Sequence, residues 1–165
     1  MDLYVVRHAV AIDGASFAGS DADRPLTPEG REKFAAAAEA LARMDVRPGR
    51  LWTSPLVRAR QTAEILAKAL DVARIEESDV LACGARPKRV LELAASAGDG
   101  PAIVVGHEPD FGELVAAAIG AATPLPLQKG AIVGLTFDED VKAGLARLTL
   151  WLTTGAARRL LGRKK

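Results

Sequence analysis

Two short runs, LYVV at residues 3–6 and AIVV at residues 102–105, are apolar at every position and rich in β-branched side chains. A strand of that kind has no wet face, so it must lie inside a sheet that helices cover on both sides. The two histidines of this 165-residue chain follow directly: His8 after Arg7, and His107 after Gly106. A buried strand that ends in a polar group can simply be meeting water. It can also form the floor of a site, because open α/β sheets bind ligands at the carboxyl ends of their strands.

The segments between carry helix punctuation. In RPLTPEG (residues 24–30), Thr27 is an N-cap, Pro28 takes the first helical position and Glu29 the first turn, predicting a helix to about Arg43. A short strand is expected at Leu51-Trp52-Thr53. Ser54-Pro55 then repeats the cap-and-proline signal and predicts a second helix through Leu70. Residues 73–76 read as a short strand, Pro87 opens a third helix, and Pro109-Asp110 a fourth. Residues 131–137 and 145–152 read as strands, the second with Leu148, Leu150 and Leu152 alternating with Arg147, Thr149 and Trp151. They predict an antiparallel hairpin at the sheet edge. The fold expected for residues 1–160 is a single α/β domain. It is a three-layer α/β/α sandwich whose sheet is mostly parallel, with an antiparallel C-terminal edge hairpin. Residues 161–165 end the basic run RRLLGRKK and read as a solvated tail.

Charge excludes several function classes. Lys and Arg number 22 against 21 Asp and Glu, a net charge of +1, so no basic field points to nucleic acid or to an anionic membrane. No apolar run approaches the roughly 20 residues that span a bilayer, and the first residues lack the basic region of a signal peptide. The single cysteine, Cys83, rules out an internal disulfide and a cysteine-based metal cluster. A cytoplasmic protein without metal or cofactor is expected. Cys83 reads as a small half-buried side chain, and Trp52 and Trp151 as sheet-face packing residues.

Arg58, in the first turn of the second helix, sits at the positive end of the helix dipole. That placement is unfavourable for a cation alone and suitable if an anion binds there. His107 also lies just before a helix start. Taken singly, each of these features has a plain structural reading; at three strand ends in one sheet, they suggest one oxyanion site.

RHA at residues 7–9, SPLVRARQTAE at 54–64 and GHEP at 106–109 resemble, in order, the signature of the histidine phosphatase superfamily. The short length, RPLTPEG and the terminal AIVGLTFDED…LTLWL hairpin resemble its compact branch, the phosphohistidine phosphatases of SixA type, over nearly the whole chain. The resemblance implies a phosphoglycerate mutase-like fold. It also implies a metal-independent phosphatase in which His8 is the nucleophile and forms a covalent phosphohistidine. Arg7, Arg58 and His107 would bind the phosphoryl group, with Ala9 and Glu108 as further contacts. The same cations should disfavour imidazolium at His8 and so keep its lone pair free to attack.

The implied substrate is a phosphorylated protein, such as a histidine-containing phosphotransfer protein, or a small phosphorylated molecule. Alternatives are a phosphatase of small phosphoesters or sugar phosphates and a non-catalytic phosphate-binding module. Two departures stand out. Ala9 and Val10 occupy positions where the broad superfamily has glycine and often an acidic residue. The acidic signature of larger members is missing from IEESDVLACGARP (residues 75–87), which leaves Asp79, Asp21 and Glu108 as candidate acids. An imidazole leaving group that is already protonated has less need of one.

Overall fold

The computed structural model describes residues 1–98 and 100–162. The chain order is β1 (Asp2–Arg7), α1 (Pro28–Ala42), β2 (Arg50–Thr53), α2 (Val57–Leu70), β3 (Glu76–Glu77), α3 (Pro87–Ala95), β4 (Ala102–Gly106), α4 (Asp110–Ile119), β5 (Ile132–Phe137), β6 (Ala146–Leu152) and α5 (Thr154–Leu160). The strands form one sheet in the order β3-β2-β4-β1-β5-β6. β3, β2, β4 and β1 run parallel, while β5 and β6 are antiparallel to their neighbours. The two apolar runs are therefore adjacent central strands, with Val5 beside Val104 and Arg7 beside Gly106. Their carboxyl ends, and both histidines, meet at one edge of the sheet.

Alternate residues of these strands feed two cores. Val6, Ile103 and Val105 pack with Phe34, Ala37 and Leu41 of α1, Ala63 and Leu66 of α2, and Ala157 of α5. Leu3, Val5 and Val104 pack with Val90 and Leu91 of α3 and Phe111 and Leu114 of α4. Each such fully buried Val, Leu or Phe stabilises the fold by roughly 1.5–3 kcal/mol relative to an exposed one. The alanines of α1 let it lie close to the sheet, and the Thr27 hydroxyl accepts the Gly30 N–H at 2.9 Å, capping the helix as expected.

Several elements differ from expectation. α2 begins at Val57, with Leu56 as its N-cap and no side-chain cap bond. The Ser54 hydroxyl is otherwise engaged, as described below. β3 lies at Glu76–Glu77 rather than over residues 73–76. That sheet edge is held by charge: Arg50 pairs with Glu76 and Arg60 with Glu77. Between β5 and β6 the register shifts at Gly134/Leu135 of β5, whose partners are Leu150 and Leu148, so that Thr149 of β6 is the extra residue. This bulge breaks the alternation and leaves Leu148 exposed; Trp151, on the face opposite Leu150 and Leu152, is also exposed and not a packing residue, whereas Trp52 is buried.

The basic C-terminal run does not begin outside the fold. Arg158 to Leu160 belong to α5, which the Thr153 side chain caps and Ala157 anchors in the core. Leu161 and Gly162 follow it in a turn, and the remainder of the expected tail lies outside the described residues. Among the described residues, no helix is long and apolar enough to cross a membrane.

Candidate active site

The backbone around His8 is held from three directions. Its N–H donates to the Gly106 carbonyl of β4 at 3.0 Å, and its own carbonyl accepts the Gly130 N–H at 3.0 Å. The next N–H, that of Ala9, donates to the Thr62 hydroxyl of α2 at 3.0 Å. Thr62 in turn donates to the Arg58 carbonyl at 2.7 Å. A fourth element presses on the segment just beyond: Thr27 N–H donates to the Val10 carbonyl at 2.9 Å.

The His8 ring is oriented by its own turn. Nδ1 lies 2.7 Å from the Ala9 carbonyl oxygen. A carbonyl can only accept, so Nδ1 carries the proton and Nε2 keeps its lone pair. Burial lowers the His8 pKa to about 3; the Ala9 carbonyl opposes the shift, while His107, Arg58 and Arg7 reinforce it by charge repulsion. The His107 ring stands 5.2 Å from that of His8, centroid to centroid. Burial and then Arg58 and Arg7 lower its pKa to about 4, with Asp21 opposing. Both rings are neutral at pH 7.

The two arginines share one arrangement. Arg58, buried in the first turn of α2, donates through Nη1 to the Asp21 carbonyl at 2.7 Å and through Nη2 to the Asp21 carboxylate at 3.1 Å. Arg7 donates through Nη1 to the Leu127 carbonyl at 2.5 Å. Leu127 is braced in turn, its N–H donating to Glu108 Oε1 at 3.2 Å. Each guanidinium is thus anchored at its tip, leaving Nε without a partner. Among the described residues, the buried side-chain nitrogens and oxygens with no partner are Arg7 Nε, Arg58 Nε and His107 Nδ1. All three belong to residues grouped around His8. Buried polar groups are nearly always paired, and an unpaired one costs about 1–3 kcal/mol. Such a cluster has the chemistry of a site built to receive an acceptor oxygen.

The structure brings Arg7, His8, Arg58 and His107 together, with Ala9 at their backbone. It does not distribute the candidate carboxylates equally. Asp21 reaches Arg58. Its slight burial would raise its pKa, but Arg24 and Arg58 outweigh this and hold the carboxyl below its usual range. Glu108 faces Arg7 through the Leu127 loop, and burial pushes it above the usual carboxylate range despite the Leu127 N–H and Arg7. Asp79 opens a short helical turn and is exposed, with its side chain bonded to none of the cluster residues. Cys83 is exposed, not half-buried, and its sulfur lies 4.0 Å from Arg58 Nη2.

Three participants are not read from the sequence. Ser54 Oγ lies 2.8 Å from His107 Nε2 and accepts the Leu56 N–H at 3.3 Å, which is why it does not cap α2. Thr62 links Ala9 to Arg58; a threonine four residues after Arg58 in a helix is positioned to bond back to its carbonyl, and that spacing is visible in SPLVRARQTAE. Asp110 accepts the Gly84 N–H at 2.7 Å, and no local sequence signal announces it.

Comparison with known proteins gives the chain a family. The family described as the histidine phosphatase superfamily (branch 1) matches residues 3–82. An uncharacterised protein of Picosynechococcus sp. is 36% identical, with 90% of this chain and 88% of that protein covered. The phosphohistidine phosphatase SixA of Escherichia coli is 31% identical, covering 85% of this chain and 88% of SixA. A solved structure of the protein histidine phosphatase SixA in complex with tungstate superposes with a TM-score of 0.83 at 28% identity, covering 94% of this chain and 98% of that one. With its sheet order and strand-end cluster accounted for, the chain belongs to the histidine phosphatase superfamily, as a phosphatase similar to its compact SixA members.

Proposed function

We propose that the protein is a metal-independent phosphatase that works through a covalent phosphohistidine on His8, and that its substrate is phosphohistidine in a protein. The carrying observation is the set of partnerless nitrogens on Arg7, Arg58 and His107 around a neutral His8. Arg7 and Arg58 receive the phosphoryl oxygens and balance the charge that gathers on them as the bond to phosphorus forms. The Ser54 hydroxyl, whose oxygen already accepts from Leu56, donates to His107 Nε2, so that His107 Nδ1–H is offered to the same group.

His8 Nε2 then attacks phosphorus, and the bond from phosphorus to the substrate imidazole breaks. The leaving imidazole departs carrying its proton, so Asp21, held ionised by two arginines, is not needed as an acid. Water attacks phospho-His8, the P–Nε2 bond breaks, and inorganic phosphate leaves. The Ala9 carbonyl keeps the Nδ1 proton in place throughout and supports the positive charge that develops on the ring.

The substrate class follows from two supports. The relatives similar to this chain include proteins named as phosphohistidine phosphatases. The segment between β3 and β4 contains a short helical turn and the nine-residue helix α3, too little to enclose a small metabolite from water. The tungstate bound by the SixA relative is an oxyanion, as this cluster would require.

The test is chemical trapping. Incubation with a phosphohistidine protein, an alkaline quench and peptide mass spectrometry should find phosphate on His8, and His8→Ala should lose turnover by at least about a thousandfold. Turnover should be unchanged in excess chelator. A His8→Ala protein as active as the parent would overturn the mechanism, and equal rates on phosphoserine peptides or sugar phosphates would overturn the substrate class.

A further inference from the structure

Beside the phosphoryl cluster lies a cleft of about 270 Å³ whose walls include Asp79, Cys83, Gly84, Arg86 and Arg89. One side chain stands between it and the cluster: Cys83 lines the cleft and lies 4.0 Å from Nη2 of buried Arg58. The wall between them is fixed. The Gly84 N–H is bonded to the Asp110 carboxylate, Leu81 and Ala85 on either side are fully or nearly buried, and Ala82 closes a turn onto Asp79. Arg86 and Arg89 are exposed, and among the described residues neither forms an ion pair. Asp79, the single carboxylate of the lining, pairs with neither of them. Of the other arginines of this surface, Arg24, Arg43, Arg47, Arg50, Arg60 and Arg147 have carboxylate partners, while Arg31, Arg74 and Arg159 form no ion pair among the described residues but lie outside the cleft. Two unpaired guanidiniums therefore face a preformed hollow one side chain away from the phosphate-binding Arg58.

We infer that this cleft is a subsite for a carboxylate of the substrate: an acidic side chain close to the phosphohistidine of the protein being dephosphorylated. The inference rests on the substrate reading above and extends it to sequence preference. Arginine suits the role, because its planar fork binds carboxylates with defined geometry. Its benefit should appear mainly in KM and decline with salt, since the arginines are exposed.

The test compares two phosphohistidine peptides that differ only in having Asp and Glu, or Asn and Gln, beside the phosphorylated residue. The parent enzyme should prefer the acidic peptide by about tenfold in kcat/KM, and 0.5 M salt should erode that preference. The Arg86→Ala/Arg89→Ala protein should lose it while hydrolysing the Asn/Gln peptide as the parent does, which also shows the variant to be folded. Arg89→Glu should turn the preference toward peptides with flanking lysine. A small phosphorylated carboxylic acid and its amide form a second pair: discrimination confined to the peptides supports a protein source for the carboxylate, and discrimination confined to the small acids overturns it. Equal rates on the two peptides, or a preference that survives removal of both arginines, would overturn the subsite. If the parent hydrolyses neither peptide, the reading beneath it falls instead.

Discussion

His8 and His107 are neutral because they are buried among cations, and this has a consequence for pH that can be signed. Their folded pKa values, about 3 and about 4, lie below the ordinary value of 6.5. The unfolded chain therefore binds protons that the folded chain refuses, and stability falls as pH drops through 6.5 toward the folded values. The loss is on the order of 1 kcal/mol per histidine per pH unit over that window. Urea unfolding at pH 7 and pH 5 should show it, and His8→Gln should show about half the difference. Imidazole resonances should stay neutral at pH 6 in the free protein. Thr62 offers a second residue-scale test. Thr62→Val leaves the Ala9 N–H without an acceptor in a buried site, which should cost about 1–3 kcal/mol. If Thr62 positions His8 and Arg58, kcat should also fall by about tenfold, and Thr62→Ser should restore both.

At the scale of elements, the start of α1 is pressed against the segment that follows His8. A Cβ on Gly30 would lie 2.2 Å from the Val10 carbonyl oxygen, so this helix can approach only as glycine. Gly30→Ala should destabilise the fold by about 1–3 kcal/mol and lower kcat as well, because the clash is with backbone rather than a movable side chain. Gly49→Ala, where the added carbon would reach nothing closer than 4.0 Å, is the control and should be near neutral. Elements that rest on strong local patterns are legible in the sequence: the central strands, the Thr27-Pro28 helix start and the final hairpin. Those that differ have a tertiary cause. Ser54 bonds to His107, which follows β4 in a distant part of the chain, so α2 starts later. β3 is held by arginine–glutamate pairs, which no apolar pattern reveals. α5 is short and rich in arginine; only Thr153 and Ala157 mark it as part of the fold.

For the molecule as a whole, the site is legible to the extent that sheet topology is. Once β1 and β4 are adjacent and parallel, Arg7-His8 and His107 must meet, and the SPLVRA segment arrives at the end of the next strand. What one dimension conceals is the outer ring that holds the arginines, since Asp21 opens a single helical turn and Leu127 lies in a loop, neither marked by periodicity. The backbone ties at His8 and Ala9 come from β4, α2 and the loop before β5, elements spread from Thr62 to Gly130. The geometry around His8 therefore has no small piece of its own that could melt alone. On heating, loss of activity and loss of circular dichroism should share one midpoint, with no temperature range in which a folded but inactive enzyme accumulates. An enzyme built this way should fail as a unit, and mutations that raise its melting temperature should extend its working range by the same number of degrees.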